Sequence, residues 1–140
     1  MSKVQDWKTI EMLGYSYYSS KGYNILISLV EGPSFDFVAE KNNEYLKVNV
    51  KVSGLKSKAS KNSWSISVSS GPSIRHRNTL DVLASKGHVD RYLVWLPHKN
   101  TFIELPGNFF EGARSKSKQI PKDLMAASKP IHEEIGINAM

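Results

Sequence analysis

Trp7, Ile10, Leu13 and Tyr17 recur three or four residues apart, the spacing of one face of an α-helix. Ser2 and Gln5 stand upstream at the separation of a capping box, and Gly22 follows, so the pattern predicts an amphipathic helix over roughly Val4 to Ser20. The period then falls to two. Asn24 to Glu31, Ser34 to Glu40 and Glu44 to Ser53 read as three strands, separated by Gly32-Pro33 and by Lys41-Asn42-Asn43, and short connections of this kind predict a meander. Gly54 to Ser73 is rich in Ser and Lys, with alternation over Trp64, Ile66 and Val68, and predicts a long loop or an extended ribbon. Thr79 to Lys86 suits a short helix closed by Gly87. Tyr92 to Leu96 and Thr101 to Leu105 suit a hairpin around Pro97-His98-Lys99-Asn100, and Lys122 to Glu134 suits a last helix that Pro130 interrupts. The order of elements predicts an α/β fold with a mixed sheet flanked by helices, in one domain spanning residues 1–140.

Composition narrows the function. With 40% hydrophobic and 23% charged residues, the 140-residue chain has the makings of one globular core. It has no cysteine, which excludes thiolate zinc sites, redox dithiols, thiol nucleophiles and disulfides. No run approaches the roughly 18 apolar residues of a membrane span, and Met1 to Lys8 lacks the apolar stretch of a secretory signal, so a cytoplasmic protein with no membrane partner is expected. The net charge of +6 is unevenly placed: −2 over Met1 to Leu46, +7 over Lys47 to Arg91 and +1 over Tyr92 to Met140. From Tyr45 to Leu80 there is no carboxylate at all. Lys56, Lys58, Lys61, Arg75 and Arg77 are interleaved there with Ser63, Ser65, Ser67, Ser69, His76 and the indole of Trp64. Cations neutralise a phosphate backbone and hydroxyls donate to its oxygens, so the segment at about 53–78 is a candidate DNA contact, joined by Arg114, Lys116 and Lys118. The plain alternative is a solvated loop, with Trp64 in a strand that buries one face.

Alternation in Leu46 to Val52 places Lys47, Asn49 and Lys51 on one face of a strand, and alternation in Phe35 to Glu40 places Asp36, Val38 and Glu40 together. Pairing of the two strands brings Asp36 beside Asn49 and Lys51. A carboxylate next to an amide oxygen suits a hard divalent cation, and a neighbouring lysine can position water or offset charge on a phosphate. Glu11, at the margin of the first helix's apolar stripe, can reach the same place from above the sheet. The structural alternative is a cross-strand salt bridge on an exposed face. Glu40 is a candidate substitute acid, whereas His76 and His88 have no metal-ligand spacing. Ser69-Ser70-Gly71-Pro72-Ser73 does not fit G-x-S-x-G, so a serine hydrolase is not expected.

The series Glu11, Gly22-Tyr23-Asn24, Ser34-Phe35-Asp36-Phe37 and Lys47-Val48-Asn49-Val50-Lys51-Val52 resembles the PD-(D/E)XK nuclease superfamily over about Lys8 to Ser53, and more weakly over Asp90 to Pro97. It is most similar to a subtype with Gln-x-Lys in place of Glu-x-Lys, which includes an intron-encoded homing endonuclease and small bacterial and archaeal nucleases. The resemblance implies a restriction-endonuclease-like fold. It also implies that Asp36 is the principal metal ligand, Val50 a ligand through its carbonyl, Glu11 the helix acid and Lys51 the motif lysine. Asn49 departs from the pattern, being neutral and one methylene shorter than Gln, and Ser34 stands where Pro is frequent. The expected cofactor is Mg²⁺, with Mn²⁺ able to substitute and Ca²⁺ binding without supporting cleavage. The expected activity is site-specific hydrolysis of double-stranded DNA by a homing or restriction-type endonuclease. The alternatives are a Holliday-junction resolvase and an inactive nucleic-acid-binding module of the same fold. One small domain covers few base pairs, so a homo-oligomer, dimer or tetramer, is expected.

Overall fold

A computed structural model describes residues 6–27, 35–55, 64–67, 89–110 and 117–134. The chain forms α1 (Trp7–Ser19), β1 (Asn24–Leu26), β2 (Phe37–Lys41), β3 (Glu44–Val52), β4 (Gly54–Leu55), β5 (Trp64–Ser67), β6 (Arg91–Leu96), β7 (Thr101–Pro106), β8 (Ser117–Gln119), α2 (Lys122–Ala127) and α3 (Ile131–Glu134). The first helix starts later than its apolar pattern predicts. Asp6 is its N-cap, with Oδ2 accepting from Thr9 N at 3.1 Å and from Thr9 Oγ1 at 2.9 Å, while Ser2 and Gln5 lie outside the described residues. Ile10, Gly14, Tyr17 and Tyr18 form its buried face; Trp7, expected there, is exposed.

The main sheet has the order β1-β2-β3-β6-β7. β1, β2 and β3 make the expected antiparallel meander. Asn42 and Asn43 both take positive φ, 54° and 66°, as a two-residue hairpin turn requires. Glu40 serves this turn: its carboxylate accepts from Asn24 Nδ2 at 2.8 Å and Asn43 N at 3.0 Å, which holds its pKa low and places it at the opposite end of β2 from Asp36. β6 then joins β3 in parallel and turns back into β7, so the sheet is mixed. β4, β5 and β8 form a second, smaller sheet, and the ribbon expected over Gly54 to Ser73 thus contributes two strands. The helix expected over Thr79 to Lys86 lies outside the described residues, and the last helix is two short ones.

β6 is buried on both faces, which is why its sequence is continuously apolar rather than alternating. Leu93 and Trp95 join Phe37, Ala39, Val48, Val50 and Phe102 under α1, while Tyr92, Val94 and Leu96 join Ile66, Ile103, Leu105, Phe109, Phe110, Ile120 and Met125 on the other side. Gly14 lets the helix approach closely, since a Cβ there would stand 3.1 Å from Leu93 Cδ2. Glu104 on β7 ties helix to sheet, accepting from Tyr17 Oη at 3.0 Å, Tyr18 Oη at 2.5 Å and Arg91 Nη1 at 3.0 Å. Among the described residues no helix is long and apolar enough to cross a membrane.

Candidate active site

β2 separates from β3 at its N-terminal end. The last rungs are the Phe37–Val48 pair and Asp36 N donating to Val48 O at 2.8 Å. Backbone groups of alternate residues point to the same side of a strand, so Val50 N–H and C=O face the same way as Val48 O, beyond the point where β2 leaves. Asp36 fills part of the gap, with its Oδ2 accepting from Val50 N at 2.6 Å. The carboxylate therefore lies close to the plane of the sheet. This differs from the expected placement on one sheet face beside Val38 and Glu40, because Asp36 precedes the strand and its side chain takes the backbone donor that β2 no longer supplies.

That in-plane position gives Asp36 access to both faces. Glu11 approaches from α1, on the face that holds Val48 and Val50. Asn49 and Lys51 pair with Tyr92 and Val94 of β6 and so share the opposite face, the one covered by the small sheet. Both are half-buried. Burial holds the Asp36 carboxyl above the usual carboxylate range; the bond from Val50 and the charge of Lys51 oppose the rise and the charge of Glu11 adds to it. Burial pushes the Lys51 amine down to about 8, with the charge of Asp36 working against the fall. Glu11 accepts a 2.6 Å hydrogen bond from Tyr15 Oη, a partner that sequence periodicity gave no reason to single out.

The donor set is oxygen alone: two carboxylates, the Val50 carbonyl and the Asn49 amide, the chemistry that suits a hard divalent cation. Among the described residues no group of three or more His, Cys, Asp or Glu gathers, so two acids would carry such a site. A cation between them would relieve the repulsion that now adds to the rise at Asp36. These residues fit the group that the sequence resemblance implies.

Few of the expected DNA contacts fall on described residues. Trp64 opens β5, half-buried, with its ring stacked on His98 at 3.9 Å between centroids and 10° between planes. Ser65 and Ser67 follow it on β5. Lys118, on β8, donates to Phe109 O at 2.6 Å and lies over the Phe109 ring, so its ammonium is already engaged by the protein. Lys56, Lys58, Lys61, Ser63, Ser69, Arg75, His76, Arg77, Arg114 and Lys116 lie outside the described residues.

The Lys51 environment has a direct spectroscopic consequence. A titration of the lysine side-chain carbons by NMR should show Lys51 changing protonation near pH 8 rather than at the ordinary 10.5. In the Asp36→Asn variant, which removes the charge that favours the ammonium, the midpoint should fall further. Because the folded-state value lies below the unfolded one, the unfolded chain binds more protons between about 8 and 10.5, and this group's contribution to stability rises with pH across that window. A Lys51 midpoint at 10.5 would show an amine in contact with water.

The mixed five-stranded sheet with helices is a fold shared with solved structures of nucleases. One solved structure with this fold is a bacterial homing endonuclease, I-Ssp6803I, similar with a TM-score of 0.58 and 16% identity over 81% of this chain and 70% of that one. Another is Hjc of Archaeoglobus fulgidus, a Holliday junction resolvase from an archaeal hyperthermophile, with a TM-score of 0.54 and 16% identity over 95% of this chain and 98% of that one. At 16% identity these are likenesses of fold, and they agree with the restriction-endonuclease-like architecture expected from the sequence. No protein-family model matches the sequence, and no curated protein matches it significantly.

Proposed function

We propose that the protein is a metal-dependent endonuclease that hydrolyses phosphodiester bonds in DNA. The observation that carries this reading is the position of Asp36, in the plane of the sheet, coupled electrostatically to Glu11 from one face and to Lys51 from the other. Asp36, Glu11, the Val50 carbonyl and Asn49 would hold Mg²⁺, with Mn²⁺ as a substitute and Ca²⁺ as a ligand that does not support cleavage. Bound there, such a cation would supply a Lewis acid for the scissile phosphate and would lower the pKa of its water. Lys51, with an amine near pH 8, holds a water by hydrogen bonding and exchanges a proton at Nζ, or when charged offsets negative charge on the phosphate. The Asp36–Val50 bond keeps the acid and the strand carrying Asn49 and Lys51 in fixed relation.

For substrate, site-specific cleavage of duplex DNA in the manner of a homing or restriction-type enzyme is the first choice, supported by the fold likeness to I-Ssp6803I and by the basic middle segment. That role calls for a homo-oligomer, since one domain spans few base pairs. Junction resolution is the second reading, favoured by the likeness to Hjc over nearly the whole of both chains. Both are tested together. The protein is incubated with a complex duplex library and with a synthetic four-way junction, in Mg²⁺ and in EDTA, and the ends are mapped by deep sequencing. Metal-dependent ends at one recurrent duplex sequence are expected; symmetric cuts in the junction alone would assign the resolvase role. Binding that weakens steeply with salt, without ends on either substrate, would overturn the endonuclease reading in favour of a binding module.

A further inference from the structure

Tyr15 has no place in the motif and none in the reaction outlined above, yet it connects two of the parts. It lies one helical turn after Glu11, and its hydroxyl donates to Glu11 Oε1 at 2.6 Å, a short hydrogen bond to a carboxylate. Its ring meets Phe37 edge-on, 5.1 Å between centroids at 88°. Phe37 is fully buried and is the residue after Asp36, at the start of β2. The tyrosine therefore reaches from the sheet beside one acid to the carboxylate of the other. An ordinary pair on a solvated helix face leaves the ring free to change rotamer; here the ring is held against the core of the sheet.

We propose that Tyr15 is a positioning residue for Glu11: anchored on Phe37, its hydroxyl fixes one carboxylate oxygen and with it the plane of the carboxylate, turning Glu11 toward Asp36 and the cation the two acids share. This rests on the metal-site reading above. A side-chain carboxylate on a helix has three torsions to order, and a ligand already held in place loses less freedom when the ion arrives. Outer partners of this kind orient metal ligands. Tyr15 touches neither substrate nor cation and acts through Glu11 alone.

The test is a titration of the full-length protein with Mn²⁺, without nucleic acid, with free ion counted by electron paramagnetic resonance. The proteins are wild type, Tyr15→Phe, Glu11→Gln, Tyr15→Phe/Glu11→Gln and Asp36→Ala. Tyr15→Phe keeps the ring on Phe37 and should melt close to wild type, yet bind Mn²⁺ about 10-fold more weakly, the lower end for loss of an outer partner. Glu11→Gln should bind more weakly still, and adding Tyr15→Phe to it should change nothing further, because the amide oxygen can still accept from the hydroxyl but the charged ligand that the hydroxyl positions is gone. Wild-type affinity in Tyr15→Phe, with Asp36→Ala weakened, would overturn the positioning role and leave the metal site standing. A further loss in the double variant equal to that in Tyr15→Phe alone would overturn it too, since Tyr15 would then act independently of Glu11. Failure of wild type to bind, or an Asp36→Ala affinity equal to wild type, would overturn the metal site and Tyr15's role with it.

Discussion

Asp36→Asn is expected to lose metal-dependent cleavage by at least about 10²–10³-fold, the scale on which removal of one preorganised electrostatic group is felt, while its fold becomes no less stable. The two effects separate because Asp36 has two tasks. One is to accept from Val50 N at 2.6 Å, and the Asn amide oxygen can do that as well. The other is to carry negative charge in a half-buried place, which only the carboxylate does. Its pKa is raised in the folded state, so the folded chain binds the proton more readily than the unfolded chain does. Stability from this group is therefore present at low pH and is lost as pH rises from the ordinary 3.8 through the raised folded value. At neutral pH in metal-free buffer the charge is a burden, and Asp36→Asn should melt higher than wild type. Asp36→Ala should be equally inactive but melt lower, because it leaves Val50 N–H without its acceptor at a loss of roughly 1–3 kcal/mol. Thermal melts in EDTA, beside single-substrate cleavage rates in Mg²⁺, check all three statements. Cleavage retained in both variants would remove Asp36 from the chemistry.

Among the described glycines, Gly107→Ala should be the most damaging substitution, with a loss of about 3 kcal/mol or more. A Cβ at Gly107 would fall 2.0 Å from the carbonyl oxygen of Val89, with the carbonyl carbons of Val89 and Asp90 at 3.0 and 3.1 Å. All three neighbours are backbone atoms and no rotamer change relieves them. The strand entry they belong to is held at several points. Asp90 N donates to Lys47 O at 2.8 Å, Asp90 Oδ2 accepts from Lys47 N at 2.8 Å, and Gly107 N donates to Asp90 O at 3.0 Å. This clamp sets the parallel register of β3 against β6, and with it the positions of Asn49 and Lys51 relative to Tyr92 and Val94. Chemical denaturation should show a lowered midpoint with an unchanged slope if the variant still folds to the same state. A midpoint equal to wild type would mean that the turn after β7 moves away from β6 at no cost.

Much of the architecture was legible before any coordinates. Period-two alternation and the Asn-Asn turn placed β2 and β3; Pro130 marked the break between α2 and α3. The candidate residues Glu11, Asp36 and Lys51 were legible too, because acid and lysine spacing survives in one dimension. Trp7 shows where periodicity misleads: it sits on the helical stripe, but Asp6 caps the helix and leaves Trp7 in its first turn with solvent around it. Tyr15 does not stand out in the sequence, because its hydroxyl meets Glu11 and its ring meets Phe37 only in the folded chain, and it lies on neither the apolar stripe nor a motif.

The sequence by itself determined most strands of the main sheet, where they turn and which side chains alternate, since these follow from local sterics and from the pattern of apolar positions; β8 carries no such pattern and forms by pairing with β5. Tertiary structure alone decided the rest. The run Tyr92 to Leu96 states that both faces are buried but not by what; α1 covers one and the small sheet with α2 the other. The parallel pairing of β3 with β6 joins residues more than forty positions apart, so no local pattern encodes its register. Asp36 lies in the plane of the sheet, rather than on a face of it, because β2 departs at that residue and a backbone N–H of β3 is left to be satisfied. Local periodicity records the side to which a residue points; only packing decides what it meets there.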